Sequence, residues 1–369
     1  MKVLILSAET GKTANSAAAA VAEQLGKMNM ESELLDALIM VPEKGETLAR
    51  WNTSRISLNL SRRMGRSYLS EERHAAHTLY HLCSLGADAL HSALEQGNYD
   101  AVLCVHVFSC MMMTAVRKKY GAVPPFYFLA TDYACAPGVS ELNANGYFIP
   151  HRMLFADFIR CGFPADKLYA TGIPVHSRFR APKPDRAALR RELDLPEEGR
   201  LVLLRAGNLQ KKKQAAHRVR SLLKALPTDT SLVVLCGKDE KLLRQLEASP
   251  RPRLYARGFD VEPEKYLFAS DLCVSRARAV ANTEALVSGI PLVLYRETRG
   301  MEAKNFEFLI QSGVAEGSWS WREVVQSVVL LLTDEAACAR LDEAVRTFLP
   351  ANSAEQICKT IVKTKSAPV

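Results

Sequence analysis

Residues 271–305 constrain the fold more tightly than any other stretch. An apolar run, Leu272-Cys273-Val274, is short enough for a buried strand, and a polar turn carrying Arg276 and Arg278 follows it. Thr283 and Glu284 then fall in a short helix, which Gly289 closes as a C-terminal glycine does. Pro291 opens a second apolar run at 292–294, and another polar loop comes after it. Strand, turn, helix and strand in this order form a parallel unit. It places the helix N-terminus and both loops at the carboxyl edge of a sheet, where open α/β sheets bind ligands. The N–H groups and partial positive charge of a helix N-terminus suit a phosphate.

The same alternation runs along the chain. In the first half, strands are predicted at 3–6, 33–38, 101–105, 126–130 and 146–149. Helices are predicted at 15–27 with Asn15 or Ser16 as cap, at 71–95, at 109–119 with Ser109 as cap, and at 151–161. The run 176–185 is rich in Pro and Arg and fits a linker. Beyond it, strands at 201–204, 232–235 and 253–256 alternate with helices at 213–226, 240–248 and from Pro263, ahead of the 271–305 unit. Residues 319–363 read as three helices. Such alternation predicts an α/β protein whose parallel sheets are covered on both faces.

Composition narrows the function classes. Of 369 residues, 48% are hydrophobic and 24% charged, as in ordinary globular proteins. No window of ~18 uninterrupted apolar residues exists, so no membrane-spanning helix is expected. The opening strand lacks a signal peptide's longer apolar core, which points to the cytoplasm. The nine cysteines show no Cys-x-x-Cys spacing and read as free thiols, with no zinc site. His77 and His81 share a helical face but lack a third ligand, so no metal is expected. The net charge of +8 suits an anionic lipid or a phosphorylated ligand, and no nucleic-acid motif is visible. Residues 41–70 set Arg50, Arg55, Arg62, Arg63 and Arg66 among Trp51, Ile56, Leu58 and Leu60. That mixture fits either contact with an anionic bilayer or a surface helix whose arginine stems cover apolar area. Gly11-Lys12-Thr13 suggests a phosphate loop, yet the full P-loop would need a glycine where Leu6 stands.

Several segments together resemble a known family. They are Leu4-Ile5-Leu6-Ser7-Ala8 before Asn15-Ser16-Ala17, Thr131-Asp132-Tyr133, Gly172-Ile173-Pro174-Val175 and Cys236-Gly237-Lys238. Ser270-Asp271, Thr283-Glu284-Ala285-Leu286, Gly289-Ile290-Pro291 and Gly300-Met301-Glu302 before Asn305 complete the set. In order and spacing the chain resembles the monogalactosyldiacylglycerol synthase and processive diacylglycerol glucosyltransferase family of GT-B glycosyltransferases. The resemblance implies two Rossmann-like domains facing across a cleft, 1–172 on the acceptor side and 173–350 binding the nucleotide-sugar. It also implies a C-terminal helix, 351–369, crossing back to the first domain.

The resemblance further implies an inverting transfer of a hexose from a UDP-sugar to a lipid acceptor such as diacylglycerol, at the membrane surface, with no cofactor. Asp132 would act as base or orient the acceptor, and Gly11, Lys12 and Thr13 would form an acceptor or phosphate loop. Glu284 would take the ribose hydroxyls, Thr283 and the helix N-terminus the diphosphate, and Phe259 the uracil. Gly207, Asn208, Arg276 and Arg278 would line the diphosphate, and Glu302 and Asn305 the sugar. The chain departs from the family pattern at Ala14 and at Cys135-Ala136-Pro137, where histidines are usual. It also departs at Arg205-Ala206-Gly207-Asn208 and Arg276-Ala277-Arg278-Ala279-Val280, where glycines are usual, and at Met301. Those departures keep open a non-catalytic homologue that binds a nucleotide or lipid, and a nucleotide-sugar epimerase is a third alternative. If residues 41–70 contact membranes, the protein sediments with anionic but not neutral vesicles, and salt releases it. Equal sedimentation with both vesicle types, or with neither, would contradict that contact.

Overall fold

The computed structural model describes residues 1–8, 12–41, 80–136, 139–207, 214–259, 262–295 and 300–366. Strands and helices alternate through them. The first half contains β1 (Lys2–Ser7), α1 (Lys12–Lys27), β2 (Glu31–Asp36), α2 (Ala87–Gly97), β3 (Ala101–Cys104), α3 (Val107–Tyr120), β4 (Phe126–Leu129), β5 (Gly146–Ile149), α4 (Phe155–Arg160) and β6 (Leu168–Ala170). The second half contains α5 (Arg186–Glu192), β7 (Arg200–Arg205), α6 (Ala215–Ala225), β8 (Thr230–Leu235), α7 (Glu240–Glu247), β9 (Leu254–Arg257), α8 (Pro263–Ala269), β10 (Leu272–Arg276), α9 (Ala279–Val287), β11 (Leu292–Tyr295), α10 (Met301–Gln311), β12 (Glu316–Ser318), α11 (Trp321–Thr333), α12 (Glu335–Phe348) and α13 (Ser353–Ser366).

Among the described residues these strands make two six-stranded parallel sheets, ordered β2-β1-β3-β4-β5-β6 and β12-β11-β10-β7-β8-β9. Each sheet belongs to its own compact unit. One unit is Met1–His176 with Arg299–Lys304 and Pro350–Val369; the other is Ser177–Thr298 with Asn305–Leu349. In β3, β4 and β5 every residue is buried, so the strands are apolar runs without alternation, as covered parallel strands must be.

In the first unit, Ile357, Cys358 and Ile361 of α13 lie fully buried in one cluster with Ala18, Val21 and Leu25 of α1. The chain's end therefore completes the core that its beginning starts. Gly172 lets this segment pass: its φ is +85°, and a Cβ there would lie 2.6 Å from Ser353 Oγ. In the second unit, Asp271 explains the Ser-Asp pair ahead of β10. Its Oδ2 accepts from Leu201 N at 2.8 Å and from Arg190 Nη2 at 2.9 Å, which ties β10 to the start of β7 and to α5.

Several sequence expectations are corrected. The helix expected over 71–95 is broken at Leu85–Gly86 within its described part, where a Cβ on Gly86 would lie 2.7 Å from Met112 Cε. The cap of α3 is His106, whose Nδ1 accepts from Phe108 N, while Ser109 lies inside the helix and donates to His106 O. Helix α1 starts at Lys12, ahead of Asn15 and Ser16. The strand expected at 33–38 ends at Asp36, whose carboxylate accepts from Leu38 N and starts a 3-10 turn. The Pro/Arg-rich joint holds a 3-10 turn, Ser177–Arg180, with Phe179 buried. Arg276 is the last residue of β10, paired with Tyr295, and not part of the turn.

Substituting Ile361→Ala should destabilise the protein by ~2–5 kcal/mol, as deletion of a buried branched side chain does. Exposed Lys363→Ala should stay within ~0.5 kcal/mol. Urea unfolding of both variants checks this; equal midpoints would mean that α13 does not complete the first core.

Candidate functional site

The carboxyl edge of the second sheet gathers the polar groups. Strand β7 ends in Arg205 and the neighbouring β10 ends in Arg276. The register pairs Leu204 with Val274, so Arg205 and Ser275 are the next residues on each strand. Arg278 is the N-cap of α9, without a side-chain cap bond, and is exposed. Three arginines thus stand where two strands end and a helix begins. A helix N-terminus flanked by guanidinium groups suits an anionic oxygen ligand.

Glu284 lies on the second turn of α9 and is buried. Its Oε2 accepts from Arg205 Nη2 at 3.2 Å, while Arg205 Nη1 donates to Ala281 O at 2.8 Å. Tyr295 of β11 donates through its hydroxyl to Arg205 O at 3.1 Å. Thr283 is buried, and its hydroxyl donates to Ala279 O at 2.8 Å, one turn back in the helix. Asn305 is fully buried on α10, and its Nδ2 donates to Ala277 O at 3.3 Å, tying that helix to the β10–α9 turn. Glu302 is half-buried in the first turn of α10.

Glycines open the neighbouring part of the same edge. Gly207 follows β7, and among the described residues a Cβ there would meet only Cys236 O, at 3.8 Å. Gly237 follows β8 with φ +58°, and a Cβ on it would lie 3.6 Å from Gly207 Cα. Both strands therefore end in backbone that carries no side chain at these positions. Phe259, just beyond β9, is 55% exposed. Asn208 and Gly11 lie outside the described residues. Lys12 and Thr13 begin α1, but their side chains lie outside the described set, as does most of the basic segment at 41–70.

The first sheet carries its own polar edge. Asp132 follows β4 and is half-buried. His106 follows β3, and loss of solvation pushes its imidazole pKa down to about 4. The ring is therefore neutral near pH 7. With Nδ1 accepting from Phe108 N at 3.2 Å, its proton sits on Nε2. That nitrogen is a donor, and Asp132 stands at the end of the neighbouring strand β4. Met111, Met112 and Met113 are buried within α3 and pack the core.

Two residues escaped the sequence reading. Arg205 looked like a loop residue that had lost a glycine, and nothing in the sequence linked it to Glu284. Asn282 is fully buried on α9, with no hydrogen-bond partner for either amide atom among the described residues.

Two parallel six-stranded sheets with helices have the GT-B fold. The crystal structure of Acinetobacter baumannii MurG matches at TM-score 0.62 and 18% identity, over 98% of this chain and 99% of that one. A UDP-GlcNAc 2-epimerase from Neisseria meningitidis bound to UDP-GlcNAc matches at TM-score 0.62 and 15% identity, over 98% and 100%. At such identities the likeness shows the fold alone. Residues 15–175 match the model of the monogalactosyldiacylglycerol (MGDG) synthase family. The processive diacylglycerol beta-glucosyltransferase of Bacillus subtilis (strain 168) is 24% identical over 282 residues, covering 76% of this chain and 72% of that protein. Over these stretches the chain is similar in sequence to monogalactosyldiacylglycerol synthases and to processive diacylglycerol beta-glucosyltransferases, the family its motifs resemble.

Asn282→Val should raise the stability of the unliganded protein by ~1–2 kcal/mol, because it removes two buried polar atoms that lack partners. Thermal unfolding without nucleotide checks this. A lowered midpoint would mean that the amide is bonded in solution.

Proposed function

We propose that this protein is a glycosyltransferase that moves a hexose from a UDP-sugar to a lipid hydroxyl, with diacylglycerol as the acceptor. The observation that carries the reading is Glu284, a buried carboxylate beside the arginine-flanked start of α9. A carboxylate offers about four acceptor positions, enough for Arg205 and a ribose diol. The relatives' acceptor lipid and the family match over the first half support the acceptor side.

In this reading the nucleotide's ribose meets Glu284 and its diphosphate meets the start of α9 with Arg276 and Arg278. Asp132 takes the proton of the acceptor hydroxyl. The acceptor oxygen forms a bond to the anomeric carbon as the bond from that carbon to the diphosphate oxygen breaks. Attack from the opposite face inverts the anomeric centre. The positive charge of the guanidinium groups and of the helix N-terminus stabilises the leaving UDP, so the reading needs no metal ion. Glu302 and Asn305 are assigned to the sugar end, although Asn305 also supports the Ala277 turn.

A second reading, nucleotide binding without transfer, is favoured by Ala14 and Cys135-Ala136-Pro137, which stand where the resembled family has histidines. Calorimetry with UDP, UDP-glucose, UDP-galactose and UDP-N-acetylglucosamine tests the part common to both. Glu284→Ala should weaken UDP binding about tenfold or more, since a charged hydrogen bond contributes roughly 1.5–3 kcal/mol and ~1.4 kcal/mol is a factor of ten. Glu284→Gln should fall between the two. A folded Glu284→Ala protein with wild-type UDP affinity contradicts the donor site.

A further inference from the structure

We propose that Arg205 is a positioning residue for nucleotide recognition: it aims the Glu284 carboxylate at the ribose. The role rests on the donor-site reading above and goes beyond it, because it makes ribose selectivity depend on a residue of a different strand.

The geometry is specific. One nitrogen of the guanidinium donates to Ala281 O at 2.8 Å and another to Glu284 Oε2 at 3.2 Å. Both acceptors lie on α9, three residues apart on one face of the helix. Two bonds from one planar fork fix the plane of the guanidinium, and one of them anchors the Oε2 end of the carboxylate. The Arg205 backbone is itself anchored. Strand β7 pairs with β10 and β8 on its two sides, and Tyr295 of β11 bonds to Arg205 O at 3.1 Å. The aim of the carboxylate is therefore set by three strands and not only by the helix that carries it.

A ribose diol is recognised by acceptors held at fixed separation and angle. A glutamate on a helix reaches such a position through three side-chain rotations, and freezing them costs entropy that a pre-formed contact has already met. Both outer nitrogens of Arg205 already bond to α9. Its effect on nucleotide binding should run through the ribose. Arg276 and Arg278 remain the phosphate-facing pair in the proposed site.

Calorimetry of the full chain with UDP and with 2′-deoxy-UDP separates these roles. Wild-type protein should prefer UDP by about tenfold, the scale of one charged hydrogen bond. Arg205→Met should cut that preference to within about twofold and change 2′-deoxy-UDP affinity by less than about threefold. Arg205→Lys keeps the charge but lacks the fork, and should lose most of the preference too. If Arg205→Met does not fold, as judged by circular dichroism, Arg205→Lys carries the test. A folded variant that keeps the wild-type preference overturns the proposal. So does an equal loss of affinity for both nucleotides, which would place Arg205 on the phosphates or in the scaffold alone. A wild-type protein with no preference for UDP removes the Glu284 assignment itself, and the positioning role with it.

Discussion

A strand buried on both faces of a parallel sheet can show polar side chains only at its ends. Both sheets obey this constraint, and the chemistry follows from it. Apolar runs such as Leu201-Val202-Leu203-Leu204 and Leu272-Cys273-Val274 fill the two middle strands of the second sheet, and polar residues appear where those strands stop. Arg205 and Arg276 are the first side chains able to carry charge at that edge. Glu284 reaches the same place from a helix, because α9 begins there and runs back along the sheet.

Burying Glu284 would be costly without a partner, since an unpaired carboxylate in the interior is strongly disfavoured. Arg205 removes that cost. Side-chain charge gathers where the two strands end. Gly207 and Gly237 keep one part of the edge open, while Arg276, Arg278 and Arg205 occupy the rest.

Much of this was legible in the sequence. The apolar runs, Gly289 as a helix stop and Pro263 as a helix start gave the element order, because those signals are local. The motifs around Asp271 and Glu284 gave the family resemblance. The Ser-Asp pair turned out to be scaffold: Asp271 ties two strands and α5 together through bonds to residues 70 and 81 positions away. Partnerships of that span leave no trace in composition or spacing. Arg205 and Glu284, 79 residues apart, are the clearest case. Smaller errors had local causes. Arg276 looked like a turn residue because charge normally ends a buried strand, yet its backbone still pairs with Tyr295. Ser109 looked like a helix cap, but a histidine ring nitrogen already fills that role three residues earlier.

The central claim is that an acceptor lipid drives release of UDP from a bound nucleotide sugar. The direct measurement is UDP released from UDP-glucose, UDP-galactose or UDP-N-acetylglucosamine, with and without vesicles containing diacylglycerol, together with analysis of the lipid product. Release that requires the vesicles and matches the glycosylated lipid formed is the predicted result. Nucleotide-sugar binding with no acceptor-dependent release, or a changed sugar nucleotide without any lipid product, would contradict the account.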